Sequence, residues 1–280
     1  MEGSPFKAYQ IANILSLDVV MGAIVSSCFI STFFSVTLSG WHYMALGATV
    51  WIIYTGDHLL DAKRAGRPAS TLRHTFHQRY FHVMLIGVVI MVVVDILVIS
   101  QLSREIMKAG IVLIIPIGLY LMLQRFLSFF KELVGAAFYT VGISMPTVVN
   151  SHFLFSSLEI IIVIHFLLVA WMNLLLFSFF DKAPDQLDQR VSFATELGER
   201  TTKLMILILY STTLVLTMIE YFWFGEYSGF VLFIMGSILV SMVAFRRFFE
   251  TSDRYRLIGD AVFFLPIFYC FYDTQAFNWI

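Results

Sequence analysis

Two short acidic segments carry residue types and spacings from which chemistry could be built. The first reads Tyr54-Thr55-Gly56-Asp57-His58-Leu59-Leu60-Asp61-Ala62-Lys63-Arg64. Asp57 and Asp61 stand four residues apart, so a helix would put both carboxylates on one face. Like charges placed this way repel unless a cation sits between them. Hard carboxylate oxygens suit Mg²⁺, which keeps several waters and commonly bridges protein carboxylates to substrate phosphates. The second segment reads Asp181-Lys182-Ala183-Pro184-Asp185-Gln186-Leu187-Asp188-Gln189-Arg190 and repeats the four-residue acidic spacing. Pro184 disturbs a regular helix there, and Asp188 offers a spare carboxylate. Either segment alone reads equally well as a charged cap on an apolar helix. Two on the same side of a bundle are what a pair of ions holding a diphosphate would need.

The elements that must position these residues are membrane helices. Hydrophobic residues make up 59% of the 280 and charged residues 13%. Soluble domains carry about 25% charged residues, so the chain belongs to the membrane class. The net charge of −1 points to no nucleic-acid partner. Nine stretches are long and apolar enough to span: 9–38, 41–60, 80–100, 105–123, 132–150, 157–180, 202–222, 227–246 and 257–276. Pro116, Pro146 and Pro266 fall inside spans, where neighbouring helices re-satisfy the backbone. This ordering puts 16 of the 18 Lys and Arg residues on one side, with only Arg104 and Lys108 on the other. The positive-inside bias makes the populated side cytoplasmic, with the N-terminus and both acidic segments there. Residues 1–280 read as a single all-α, polytopic domain in a bacterial-type cytoplasmic (inner) membrane, in contact with its lipids. The two acidic loops, about 58–79 and 181–201, are separated by four spans, which suggests two four-helix units sharing one site.

Other polar residues inside the apolar stretches need an account, because ionisable groups in a span cost a few kcal/mol and usually face an interior or a cavity. Asn13 and Asp18 in the first stretch and Asn173 in the sixth are read as cavity lining. Asp95 lies far from the acidic segments and is read as structural. His58, His74, His77 and His82 crowd the first loop. A diphosphate contact by Arg73, His74 or His77 is favoured over a transition-metal site there, and an ordinary loop over both. Cys28 and Cys270 both sit in apolar runs and imply no disulfide framework. The stretch ending at Cys28 is not read as a lipoprotein cleavage site, because Asp18 interrupts the run before it.

Taken together, the chain resembles the UbiA superfamily of intramembrane prenyltransferases over essentially its whole length. That family has nine helices and acidic motifs after the second and sixth. Its first motif, N-D-x-x-D-x-x-x-D, aligns with Ile53-Tyr54-x-x-Asp57-x-x-x-Asp61. Its second, roughly D-x-x-D-x-x-x-D followed by Thr-Leu and Leu-Gly, aligns with Ser178-x-x-Asp181-x-x-x-Asp185, then Ser192-Phe193 and Leu197-Gly198. Its fourth-helix Y-x-x-x-K-R aligns with Tyr120-Leu-Met-Leu-Gln124-Arg125, followed by Lys131-Glu132-Leu133-Val134-Gly135. Tyr54 and Ser178 stand where the family has its leading aspartates, and Gln124 where it has lysine.

The resemblance implies a UbiA-like bundle and Mg²⁺-dependent transfer of a prenyl group from a prenyl diphosphate to a lipophilic, aromatic acceptor. Asp57, Asp61, Asp181 and Asp185 would hold the ions. Arg125, Lys131, Tyr120, Tyr54, Asn13, Asp18, Asn173 and Asp188 would contact substrate. A minority of the 29 phenylalanines would wall a prenyl tunnel. The alternative is a non-catalytic relative binding isoprenoid lipid or a partner protein. A CDP-alcohol phosphotransferase is disfavoured because its D-G-x-x-A-R signature is absent. A transporter should concentrate charge at the bilayer midplane rather than at one face.

Overall fold

The structure, a computed structural model of the chain, describes residues 5–64, 72–152 and 155–272. It is helical throughout, with no strand among the described residues. The helices are α1 (Pro5–Ile14), α2 (Leu17–Phe33), α3 (Gly40–Arg64), α4 (Leu72–Arg79), α5 (Phe81–Ile99), α6 (Arg104–Leu123) and α7 (Lys131–Asn150). They continue with α8 (Ser157–Phe180), α9 (Lys182–Leu187), α10 (Phe193–Phe224), α11 (Ser228–Ala244), α12 (Arg246–Glu250), α13 (Arg254–Ala261) and α14 (Ile267–Tyr272). Two 3₁₀ turns, Gln124–Phe126 and Ser128–Phe130, join α6 to α7.

Each of the nine apolar stretches is mainly helical where it is described, although the first leaves the helix after Phe33, and the stretches are not equal as spans. Five helices among the described residues are long and apolar enough to cross a membrane: α5, α6, α7 with its preceding turn, α8 and α10. Two bent pairs raise the number to seven, one formed by α1 with α2 and one by α11 with the segment from Arg246 to Phe271. The first pair turns through 80° and the second through 94°. The helix α3 is not among them, because its last two turns hold Asp57, His58, Asp61, Lys63 and Arg64. Five to seven spans make the chain compatible with a multi-pass integral membrane protein.

The breaks have local causes. Ser16 adopts a left-handed conformation between α1 and α2 at φ 57°, and Asp18 then accepts a hydrogen bond from the Val19 amide at the start of α2. The α8 N-terminus is a reciprocal cap in which Ser156 and Glu159 satisfy each other's amides. The α10 N-terminus carries a similar cap from Ser192 and Thr195.

The core is built around α8, which packs against α7, α10 and α11. Ile162, Phe166, Val169, Met172 and Leu176 recur at three- and four-residue intervals along it, and all are fully enclosed. The helices α5 and α6 are the opposite case, with 17% and 6% of their apolar windows buried. Ile86, Val89, Ile90, Val93, Ile111, Val112 and Ile115 point outward. A row of aliphatic side chains without polar neighbours suits lipid and would be costly in water.

One ionisable pair is sealed inside this core. His165 of α8 and Glu220 of α10 are both fully buried, with Nδ1 and Oε1 2.9 Å apart. Glu220 also fills the space beside Gly229, where a Cβ would lie 1.6 Å from its Oε2. Removing one partner leaves the other polar group buried and uncompensated. Glu220→Leu is therefore expected to destabilise the protein by about 3 kcal/mol, and His165→Leu with Glu220→Leu together by less than the single change. Denaturation in detergent measures both.

Candidate functional site at the mouth of an apolar cavity

The two acidic segments approach each other at one end of the bundle, the ends of α3 and α8. Asp57 and Asp61 sit on consecutive turns of α3, as the four-residue spacing requires. Asp181 caps α8 and opens α9, and the Asp185 amide donates to the Asp181 carbonyl at 2.8 Å, so the helical turn continues through Pro184. Pro184 sits near the start of α9, where a missing amide costs little. Arg190 follows α9 and its Nη1 lies 3.3 Å from Asp61 Oδ2, which ties the second segment to the first. Lys131 and Arg190 both lie close enough to act electrostatically on Asp57 and on Asp185. Two cations thus act on carboxylates of both acid pairs.

Each carboxylate has a distinct environment. Asp57 Oδ1 accepts a hydrogen bond from Gln124 Nε2 at 2.6 Å. Asp181 is buried and accepts from both Tyr255 Oη and Arg256 Nη2 of α13. Asp185 is half-buried, and burial followed by the neighbouring Asp181 pushes its carboxyl up to about 6. Asp188 caps the C-terminus of α9. Among the described residues no group of three or more His, Cys, Asp or Glu is close enough to hold an ion unaided. A metal here would have to complete its shell with water or substrate oxygens, which is how Mg²⁺ usually binds.

Tyr54 and Ser178, the neutral residues at the head of the two acidic segments, both have structural partners or neighbours. Ser178 Oγ accepts from the Ala194 amide at 2.8 Å, and Glu132 Oε1 accepts from the Phe193 amide at 3.0 Å. These bonds satisfy the first amides of α10 and place a carboxylate at its positive end. Tyr54 stands on a cavity wall beside Asp57.

That cavity has a volume of about 530 Å³ and lies between α2, α3, α6, α7 and α8. At the acidic end it is lined by Tyr54, Asp57, Arg73, Gln124, Asn173 and Asp260, and beyond them mostly by Ile, Leu, Val and Phe side chains, with Thr49, Asp95 and His42 also on the wall. Its walls include α3 residues from Asp57 to His42, a span of roughly 22 Å at the helical rise. Tyr120 lines it too, donating to the Lys131 carbonyl at 3.2 Å. A Cβ on residue 135 would meet Tyr120 Oη at 2.9 Å, so Gly135 lets the phenol reach Lys131. An open groove borders α3 and α6, sharing Ile53, Ile114, Ile117 and Leu121 with the cavity wall.

Asn173 lines the cavity with its Oδ1 unpartnered among the described residues. Asn13 and Asp18 instead lie behind the wall. Asn13 Nδ2 donates to Asp18 Oδ2 and, at 2.8 Å, to Asp260 Oδ2, while Arg73 Nη2 donates to the Asn13 carbonyl at 2.9 Å. Cavity lining is therefore Asp260's role, and helix-to-helix hydrogen bonding is Asp18's. The side chains of Arg125 and His74, and residues 65–71 of the first loop, lie outside the described residues. Sequence reasoning missed Gln124 as a partner of Asp57, Glu132 as a helix cap, and Tyr255, Arg256 and Asp260. The last three lie in α13: Tyr255 and Arg256 just precede the ninth apolar stretch and Asp260 falls inside it, and no local pattern singles them out.

Comparison with family models, with curated proteins and with solved structures returns no match.

The Asp185 environment yields a pH dependence. A divalent cation needs the ionised carboxylate, so protons compete with it below about pH 6. Mg²⁺ affinity, read by calorimetry at fixed ionic strength, should rise from pH 5 to 7 and level off above. A flat profile would exclude Asp185 as a ligand.

Proposed function

We propose that the protein transfers a prenyl group from a prenyl diphosphate to a lipophilic, aromatic acceptor within the membrane, with Mg²⁺ as cofactor, and that its helices form a nine-span, UbiA-like bundle. The observation that carries this reading is two carboxylate pairs, joined through Asp61 and Arg190, of which Asp57 lines one end of a long apolar cavity. The mouth suits a charged leaving group and the cavity an isoprenoid chain. Bound Mg²⁺ would supply positive charge to the diphosphate oxygens. The carboxylates of Asp57, Asp61, Asp181 and Asp185 would hold it, by chemistry that suits hard oxygen donors. Lys131 and Arg190 offset charge on the departing diphosphate. Arg73 adds a buried guanidinium on the same wall. The apolar walls exclude water from the allylic carbon as its bond to oxygen weakens. The acceptor then attacks that carbon.

A second reading has its own support. Gln124 already satisfies one oxygen of Asp57, and α13 engages both oxygens of Asp181. A non-catalytic protein that holds an isoprenoid lipid in the same cavity fits those contacts.

Ligand-dependent stability separates the two, because a ligand that binds only the folded state raises its stability. Mg²⁺ and a prenyl diphosphate together should raise the melting temperature more than the separate effects combined. Asp57→Asn and Asp185→Asn should each abolish the joint effect. Joint stabilisation unchanged in both variants would remove these carboxylates from the ligand set.

The 16-to-2 distribution of basic residues supports placing the acidic mouth in the cytoplasm and the C-terminus outside. Ser70→Cys should be labelled by an impermeant thiol reagent only after the membrane is opened, and His152→Cys from outside. Labelling of Ser70→Cys from outside would reverse the orientation.

A further inference from the structure

Asp95 lies inside α5, fourteen residues from Phe81 and so roughly 21 Å along the helix axis. It is 7% exposed. The Thr49 hydroxyl of α3 donates to its Oδ2 at 2.8 Å, and its Oδ1 is without a hydrogen-bond partner among the described residues. No ion pair to Asp95 occurs among those residues either. A hydrogen bond holding α3 to α5 needs one acceptor oxygen and no ionisable group. Ile99 ends the helix four residues on, so Asp95 sits about one turn from its far end, where a carboxyl in an apolar helix is still costly and usually faces a cavity.

Asp95 and Thr49 also stand on the wall of the cavity that begins at Asp57. Along α3, Thr49 is eight residues from Asp57, roughly 12 Å. The cavity therefore has two polar poles with an apolar stretch between them. Asp57, Gln124 and Arg73 form one pole, and Thr49 and Asp95 the other.

We propose that Asp95 and Thr49 form a binding site for a hydroxyl group, so that the cavity takes a two-headed lipophile: an anionic group at the Asp57 pole and a hydroxyl on the apolar chain at the Asp95 pole. A hydroxyl suits Asp95 in either protonation form, since a carboxylate accepts from it and a carboxylic acid both donates and accepts. The apolar stretch excludes a polar chain between the two groups. This inference rests on the reading of the cavity as a lipid chamber and deepens it, without requiring that the protein catalyse transfer.

The test uses an alkyl phosphate and its ω-hydroxy counterpart of equal chain length, bound to the detergent-solubilised protein. The phosphate directs the hydroxyl to the far pole. The hydroxylated probe should bind about tenfold more tightly, the effect of one well-made hydrogen bond. Asp95→Leu should reduce that preference to about twofold or less, while Asp95→Asn should retain most of it. Thr49→Val should weaken it with the helix pair intact, which covers the case in which Asp95→Leu fails to fold. Equal affinity for the two probes, binding of neither, or a full preference surviving Asp95→Leu would overturn the inference. A preserved hydroxyl preference in a protein that shows no joint stabilisation by Mg²⁺ and prenyl diphosphate would count against the transferase and leave this site standing.

Discussion

The ion pair between Asp61 and Arg190 is the contact around which the acidic mouth is organised. Carboxylates brought together at the end of an apolar bundle repel one another, and the low dielectric around them magnifies the repulsion. Arg190 answers part of that charge from the opposite segment, and Lys131 adds to it from the start of α7. The two segments lie more than a hundred residues apart in sequence, and four apolar stretches separate them. Their meeting therefore depends on the packing of α3, α7 and α8. The buried seam of α8 fixes where Asp181 emerges, and the caps on α10 fix the return of the chain behind it.

Neutral residues also stand at this mouth: Tyr54, Ser178 and Gln124 occupy positions where the UbiA pattern that the sequence resembles has two acids and a lysine. Here Gln124 donates an amide hydrogen to Asp57 where a lysine would donate an ammonium hydrogen, and Ser178 serves the amide of Ala194. On the same mouth, Arg256 and Tyr255 hold Asp181 to α13, so the C-terminal segment closes one side of the acidic cluster.

Much of this was legible in the sequence, for reasons that can be named. Long apolar runs give helices because a backbone in hydrocarbon must satisfy its own polar groups. The spacing of Asp57 and Asp61 gives a shared face because it matches the helical repeat. The stretch 41–60 reads as a span from its length, but α3 is not apolar enough to count among the candidate spans, since its last turns carry the acidic segment and its basic flank. Asp18 was misplaced onto the cavity because a sequence places a residue on a helix but not behind another side chain. Asp260, which does line the cavity, is separated from Asn13 by nearly the whole chain, and no local pattern links them. The role of Ser178 was hidden because capping of α10 by a residue of α8 is a tertiary contact. Arg73, whose stretch reads most simply as an ordinary loop, stands on the cavity wall with Asp57.

The central claim is that carboxylates at the mouth of this cavity drive chemistry on a prenyl chain held inside it. Lipid mass spectrometry of membranes containing either the parent protein or the Asp57→Asn, Asp185→Asn double variant, at matched protein levels, tests it most directly. The account predicts a prenylated lipid present with the parent and absent with the double variant. Identical lipid profiles from the two membranes would contradict it.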